Sequence, residues 1–346
     1  MTGPPREHWY IAARSRELGG KPLATTLLGE PIVLFRTADG RPAALADRCA
    51  HRNLALSRGR VVNGSLECAY HGWRYAGSGA CTLIPSLPEG PGRIGVPAHP
   101  TTESDGFVWV FPGGPAAPGL PRRFPHLGEP GFTTFVMKNR FEAGALACLE
   151  NFLDCPHTAY VHQGWFRSAR AKDVSARVTC SADEVRVDFD ERPERDSLVA
   201  RLLFPRGRNL VHTDRFLMPT TSRVDYHFGP DWHFIITSQC TPVTEELTDV
   251  YTVVTFHARR VGPLVRLYFE PLCRRIIRQD LDVLSAQADD IRRFGGPRFT
   301  SVTSDLVGPQ IARLWREAQG RLRGPASATE PTEPMDPGAR EVVLRF

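Results

Sequence analysis

The sequence predicts an α+β protein of two domains: a small β domain, then a larger one in which an antiparallel sheet accompanies a long helix. Three observations predict it. The first 111 residues alternate short apolar runs with turn signals. Eleven prolines and glycines then crowd residues 112–131, a density that sustains neither helix nor central strand and reads as an interdomain connector. After Thr133 the runs of period two lengthen, and the stretch from Pro263 to about Phe294 has helical spacing.

The elements follow in order. Pro31–Arg36 reads as an apolar strand, turned at Ala38-Asp39-Gly40 onto Pro42–Ala46. Asn63-Gly64 marks a tight turn ahead of Ser65–Cys68. Gly106–Phe111 closes the first domain. The second opens with a strand at Thr133–Phe141 and a helix at Gly144–Leu153. Glu184–Asp190, Ser222–Phe228, His233–Cys240 and Asp249–Ala258 supply its sheet. In the long helix Leu281, Leu284 and Ile291 are core candidates. Domains are expected at 1–120 and 132–322, with a flexible tail at 323–346, rich in Pro, Glu, Ala and Thr from Gly324 to Gly338; Val342-Val343-Leu344 is the alternative, a segment able to pin the end onto a sheet.

Bulk composition excludes several classes. At 346 residues, 41% hydrophobic and 23% charged, the chain is an ordinary globular one. A net charge of +5 with scattered arginines is too weak for a nucleic-acid partner. No apolar run reaches the eighteen or so residues of a membrane span. The N-terminus lacks an apolar signal core, and the eight cysteines have no disulfide spacing, so a reducing cytoplasm is expected. Cys81, Cys148, Cys180, Cys240 and Cys273 read as small buried side chains.

Chemistry concentrates in two places. Cys49-Ala50-His51 and Cys68-Ala69-Tyr70-His71 are separated by sixteen residues. Two thiolates and two imidazoles on two loops suit a [2Fe–2S] cluster whose second iron has histidine ligands, the Rieske centre, a one-electron carrier. They also suit zinc, but a finger places its cysteines together and its histidines together. Here each loop brings one of each, and neither loop carries the extra cysteine of respiratory Rieske proteins.

The second place is Asn151-Phe152-Leu153-Asp154-Cys155-Pro156-His157, with His162 five residues further on. Positions five apart on a regular helix diverge by about 140°, so sharing a metal requires a π-type widening or a break, and Pro156 marks a break. Two imidazoles need one carboxylate for the facial triad that holds iron(II) with open positions. The long helix offers Asp280, with Asp282 as the alternative. Cys155 reads as a packed thiol. His8, His99, His126, His212, His227, His233 and His257 read as core or surface histidines.

With these motifs in place, the chain resembles the Rieske non-haem iron oxygenases, the aromatic-ring-hydroxylating α-subunit family. It is most similar to the short α-only type represented by vanillate O-demethylase and dicamba monooxygenase. The likeness runs from His8-Trp9-Tyr10 to about Leu314, through Asp47–Arg52, Cys68–Trp73, Asn151–Asp154 with His157 and His162, and Gln279-Asp280 with Val283, Leu284 and Gln287. It implies an N-terminal Rieske domain and a helix-grip catalytic domain. It further implies a head-to-tail homotrimer in which the cluster of one subunit lies near the mononuclear iron of the next.

In that arrangement Asp154 bridges His71 and His157 across the interface, and Asn151 lies beside the iron. The resemblance also implies electrons from NAD(P)H through a reductase or ferredoxin, dioxygen as co-substrate, and insertion of one oxygen into an aromatic or alicyclic substrate by hydroxylation or O-/N-dealkylation. Dioxygenation or desaturation at the same site is the alternative, and a Rieske carrier without catalysis is the other. Phe204, Phe216, Tyr226, Phe228, Trp232, Phe234 and Phe256 are candidate pocket walls, most of them expected to be simply core. The substrate stays open.

Overall fold

The computed structural model describes residues 3–163, 173–190, 210–229, 231–258, 261–323 and 340–345. They form two compact units. One comprises Arg6–Arg123 with Thr241–Thr244, and the other Met1–Pro5, Phe124–Cys240 and Glu245–Phe346.

The N-terminal unit holds β1 (Tyr10–Arg14), β2 (Leu23–Leu27), β3 (Glu30–Arg36), β4 (Pro42–Ala46), β5 (Arg60–Val62), β6 (Ser65–Glu67), β7 (Arg74–Tyr75), β8 (Cys81–Leu83), β9 (Ala98–His99), β10 (Thr101–Ser104) and β11 (Phe107–Val110). These make three antiparallel sheets, ordered β1-β11-β10, β2-β3-β4-β9 and β5-β6-β7-β8. Strand β3 shows why its run is continuously apolar. Ile32 and Leu34 face one core with Tyr10 and Val110, while Val33 and Phe35 face another with Leu45, Leu66 and Tyr75. A strand buried on both faces has no polar alternation to show. Asn63 and Gly64 both have positive φ, as a two-residue hairpin turn between β5 and β6 requires. A Cβ on Gly64 would lie 2.0 Å from the backbone nitrogen of Ala38, so glycine is obligatory there.

The second unit is built on β12 (Phe132–Phe141), α1 (Ala145–Leu153), β13 (Asp173–Cys180), β14 (Glu184–Asp190), β15 (Val211–Leu217), β16 (Thr221–His227), β17 (Trp232–Pro242), β18 (Thr248–Ala258), α2 (Gly262–Arg293), α3 (Gly308–Arg323) and β19 (Arg340–Arg345). Eight strands form one sheet, ordered β12-β18-β17-β16-β15-β14-β13-β19. The long helix lies against it. Phe269, Cys273, Ile277, Asp280 and Leu284 are the buried stripe of α2, spaced three or four apart as a single helical face must be. Phe269 and Cys273 pack with Phe135, Phe234 and Phe256. Ile277 and Leu284 join α1 and α3 through Leu149, Leu153, Ile311 and Trp315. A sheet wrapping a long helix is the helix-grip arrangement. Asp280 is the one carboxylate in that otherwise apolar stripe.

The expected strands and helices stand, with boundary changes of a residue or so. One expectation needs correction and one is narrowed. The tail is not loose to its end: Arg340–Arg345 pair antiparallel with β13. Leu344 is buried, Val342 packs on the core, and Glu341 pairs with Arg177 at 2.6 Å. Without that strand β13 would present an unpaired edge. Residues 324–339 lie outside the described residues. Of the proposed pocket walls, Phe216, Phe228, Phe234 and Phe256 are core, Tyr226 and Trp232 flank the same cluster, and Phe204 lies outside the described residues. Among the described residues no helix is long and apolar enough to cross a membrane.

Two candidate iron centres

The two cysteine–histidine loops close in the same way. Cys49 N–H donates to Leu54 O, and Asn53 N–H returns to Cys49 O; Cys68 N–H donates to Trp73 O, and Gly72 N–H returns to Cys68 O. In each loop the residue four after the cysteine has positive φ, Asn53 at 63° and Gly72 at 70°. That left-handed residue folds the loop back, and asparagine and glycine tolerate it best. Clamps hold both loops. Asp47 accepts from Ser57 N–H at 2.7 Å and Ser57 Oγ at 2.6 Å, and Glu67 pairs with Arg60 and Arg74 at 2.7 Å each.

This closure turns the thiols inward and the imidazoles outward. Cys49 and Cys68 are each 2% exposed and belong to the apolar core, while His51 and His71 are exposed. The two rings sit 4.4 Å apart between centroids; Trp73 stacks parallel on His51 at 4.6 Å, and Tyr70 covers His71 at 3.9 Å. Burial pushes the Cys68 thiol up, so ligation must take its proton away, as metal binding does. Thiolates in a dry core and imidazoles at the surface suit a cluster that passes electrons out through its histidine-ligated iron.

Tyr75 was not foreseen, because a tyrosine four residues after His71 looks like ordinary core. It is fully buried, and its hydroxyl lies 3.2 Å from Cys49 Sγ and accepts from Ala50 N–H at 3.2 Å. With Ala50 donating to the oxygen, the phenolic proton is directed to the sulfur. Burial keeps that phenol protonated. A donor to a cluster sulfur favours the reduced, more negative state. Tyr75→Phe is therefore expected to lower the cluster's midpoint potential. One such bond of on the order of 1 kcal/mol is about 40 mV for one electron, read by spectroelectrochemistry.

The second centre begins where α1 ends. Asp154 caps it with extended backbone (φ −89°, ψ 98°), and a 3₁₀ turn at Pro156–Ala159 follows. The chain thus breaks at Pro156 and does not widen into a π-bulge, since proline has no N–H to continue the ladder. The break delivers His157 and His162 to one point. Their Nε2 atoms are 3.3 Å apart, and Asp280 Oδ1 from α2 lies 3.1 Å from His162 Nε2 and 3.6 Å from His157 Nε2.

Those three distances test a metal. Cis ligands about 2.1 Å from an ion stand about 3.0 Å apart, and a meridional set would need one edge of about 4.2 Å. All three edges here are short, so the set is facial. It is also the one group of three such side chains within 4.8 Å among the described residues. Asp282 is exposed on another face of α2, which removes it as the alternative.

Neighbouring groups orient each ligand. His157 Nδ1 donates to the carbonyl of Asp154, and its backbone N–H donates to Asp154 Oδ2 at 3.2 Å. Asn151 Nδ2 donates to Asp280 Oδ1 at 3.0 Å. Gln279 Oε1 accepts from His162 Nδ1 at 3.0 Å, a contact the sequence reading passed over although Gln279 adjoins Asp280. Burial alone would raise the Asp280 carboxyl; hydrogen bonds and charge from His157 and His162, when each is protonated at Nε2 as well, outweigh it and hold it below its ordinary value, and a cation would take the place of those protons. His212, read as a satisfied core histidine, is buried and bonded to Asp214 at 2.9 Å.

A cleft of about 740 Å³ adjoins this centre, walled by Asn151, Asp154, His157, Glu150 and Asp305 among others. Glu150 Oε1 rests against Gly308 at the start of α3. Its carboxyl is pushed up to about 7, first by burial and then by Asp305 and Asp154. A carboxyl raised on folding binds more protons folded than unfolded, so stability falls as pH rises from about 4.5 to 7 and stays lower above. The span corresponds to at most about 3 kcal/mol. Glu150→Gln is expected to raise the melting temperature by a few degrees at pH 8 and to change it little at pH 4.5.

Two centres of different kinds, one built to carry an electron and one to hold iron with a face open, define an iron–sulfur oxygenase. Comparison with known proteins agrees. Residues 8–100 match the Rieske [2Fe-2S] domain, and residues 141–319 match the vanillate O-demethylase oxygenase C-terminal domain. The chain belongs to the Rieske non-haem iron oxygenase family, whose cofactors are a Rieske [2Fe–2S] cluster and a mononuclear iron.

Chlorophyllide a oxygenase of Chlamydomonas reinhardtii is 41% identical over 168 residues, 46% of this chain and 25% of that one. The oxygenase component of dicamba O-demethylase from Stenotrophomonas maltophilia is 37% identical over 161 residues, 46% of this chain and 48% of that one. The chain thus spans a quarter and about half of these two relatives. Crystalline dicamba monooxygenase bound to 3,6-dichlorosalicylic acid superposes with a TM-score of 0.80 at 26% identity, over 92% of this chain and 98% of that one.

Proposed function

We propose that the protein is a monooxygenase: it inserts one atom of dioxygen into an aromatic or alicyclic compound, by hydroxylation or by oxidative O- or N-dealkylation. The observation that carries this is the facial triangle of His157, His162 and Asp280 in the same chain as a cysteine–histidine pair of loops. Similarity to a dicamba O-demethylase favours one oxygen over two. The overall balance is substrate C–H, O₂, two electrons and two protons giving C–OH and water; at a methoxy or N-methyl carbon the product then loses formaldehyde.

Cys49, His51, Cys68 and His71 would hold the cluster, and His157, His162 and Asp280 the iron(II). Bound there, the cluster supplies electrons singly and the iron activates dioxygen. The chain's own residues do the rest. Asn151 restrains the Asp280 carboxylate, and the sheet's apolar inner face excludes water. NAD(P)H is the electron source, through a separate reductase or ferredoxin.

Electrons cross between copies of the chain in a head-to-tail homotrimer. The exposed His51 and His71 suit that docking, and so does Asp154, whose side chain is 43% exposed in the cleft beside His157. Asp154 then bridges His71 of one copy and His157 of the next.

The test is a single turnover of the iron-loaded, reduced protein under ¹⁸O₂ against aromatic and alicyclic compounds, with products weighed by mass spectrometry. One labelled oxygen per product, or formaldehyde from a methoxy compound, is expected. Two labelled atoms would make it a dioxygenase, and no product from any compound would leave an electron carrier.

A further inference from the structure

Two consecutive residues of α2 face the two nitrogens of one imidazole. Asp280 Oδ1 lies 3.1 Å from His162 Nε2, and Gln279 Oε1 lies 3.0 Å from His162 Nδ1. Neighbours on a helix point about 100° apart, which lets one side chain reach past each side of the ring. His162 is 2% exposed, so bulk water does not compete for these positions.

The chemistry of the contact is directional. A glutamine Oε1 only accepts, so the bond exists only with the proton on Nδ1, and a neutral imidazole protonated there turns its lone pair out at Nε2. That lone pair then points at the centre shared with His157 Nε2 and Asp280 Oδ1. The opposite amide orientation would place a proton on Nε2, aimed at the other two ligand atoms.

We infer that Gln279 is a positioning residue that fixes the tautomer and ring angle of His162, and so sets how tightly this chain holds iron(II). The inference rests on the reading of His157, His162 and Asp280 as the iron site and names the residue that prepares it. Being neutral, the amide does this without adding negative charge to the ring. Groups in this position typically alter metal affinity 10- to 100-fold when removed.

The experiment measures iron(II) dissociation constants by anaerobic chelator competition for the full chain, Gln279→Leu and Gln279→Glu, with visible absorption of the [2Fe–2S] cluster and circular dichroism as controls of folding. Gln279→Leu should bind iron(II) about 10- to 100-fold more weakly, with cluster absorption unchanged. Gln279→Glu, which keeps an acceptor of the same length, should restore affinity to within a few-fold. Equal affinity of the leucine variant and the parent overturns the inference. So does weak binding by both variants, which would make the contact a matter of packing. Should the parent itself bind no iron(II) at this site, the iron reading fails, a result distinct from either.

Discussion

Asp280→Ala is expected to lower the iron content from about three per chain to about two, and to end turnover while the protein stays red-brown. The reason is local. Asp280 Oδ1 is within 3.6 Å of both imidazole Nε2 atoms, and it is the carboxylate of an otherwise apolar helical stripe. Without it only two imidazoles face the centre, and the site loses the negative charge that offsets a divalent cation. The cysteine–histidine loops lie in the other unit and are held by their own clamps, so the cluster persists. Iron analysis, together with the spectrum of the reduced cluster, checks both halves. Retention of all the iron would mean that the chain takes its carboxylate from elsewhere.

Asp154→Asn has the second large effect, and it acts on a rate. The asparagine has nearly the same shape, and its carbonyl can still accept from the His157 N–H that Asp154 Oδ2 now receives at 3.2 Å. Both metals therefore stay. What disappears is a second anionic oxygen able to accept from another imidazole while the first serves His157. Burial raises the Asp154 carboxyl, helped by Asp305 and Asp214, and the adjacent His157 opposes that rise. Under stopped flow with substrate and oxygen, the reduced cluster of the variant should reoxidise on the order of a hundredfold more slowly. Unchanged coupled turnover would remove Asp154 from the electron path.

Much of this was legible before any fold was known. Covalent spacing constrains a loop ligand strongly, and Cys49-Ala50-His51 and Cys68-Ala69-Tyr70-His71 each form a self-contained turn closed by backbone bonds. Period and proline placement gave α1, the break at Pro156 and α2 within a residue or so. Other features were not legible. Asp280 and Asp282 are two residues apart on one helix, and only packing shows that one is buried and the other exposed. Gln279 stood in a motif and Tyr75 in none, but nothing local marks an amide as reaching an imidazole or a phenol as reaching a sulfur. The closing strand was legible as a strand at Val342-Val343-Leu344, but not its partner. Its place depends on an unpaired edge of β13, more than 150 residues away along the chain.

The sequence by itself determined the kinds of ligand, the two loops that carry the thiols and the helix end that carries two histidines, because these are set by neighbours in the chain. The tertiary structure alone decided which carboxylate stands with the two imidazoles, which amide meets His162 and which phenol meets Cys49. Each of those depends on groups from distant segments arriving within about 3 Å, and hydrogen bonds and metal coordination act over no longer range. Packing sets those distances, and no spacing along the chain encodes them.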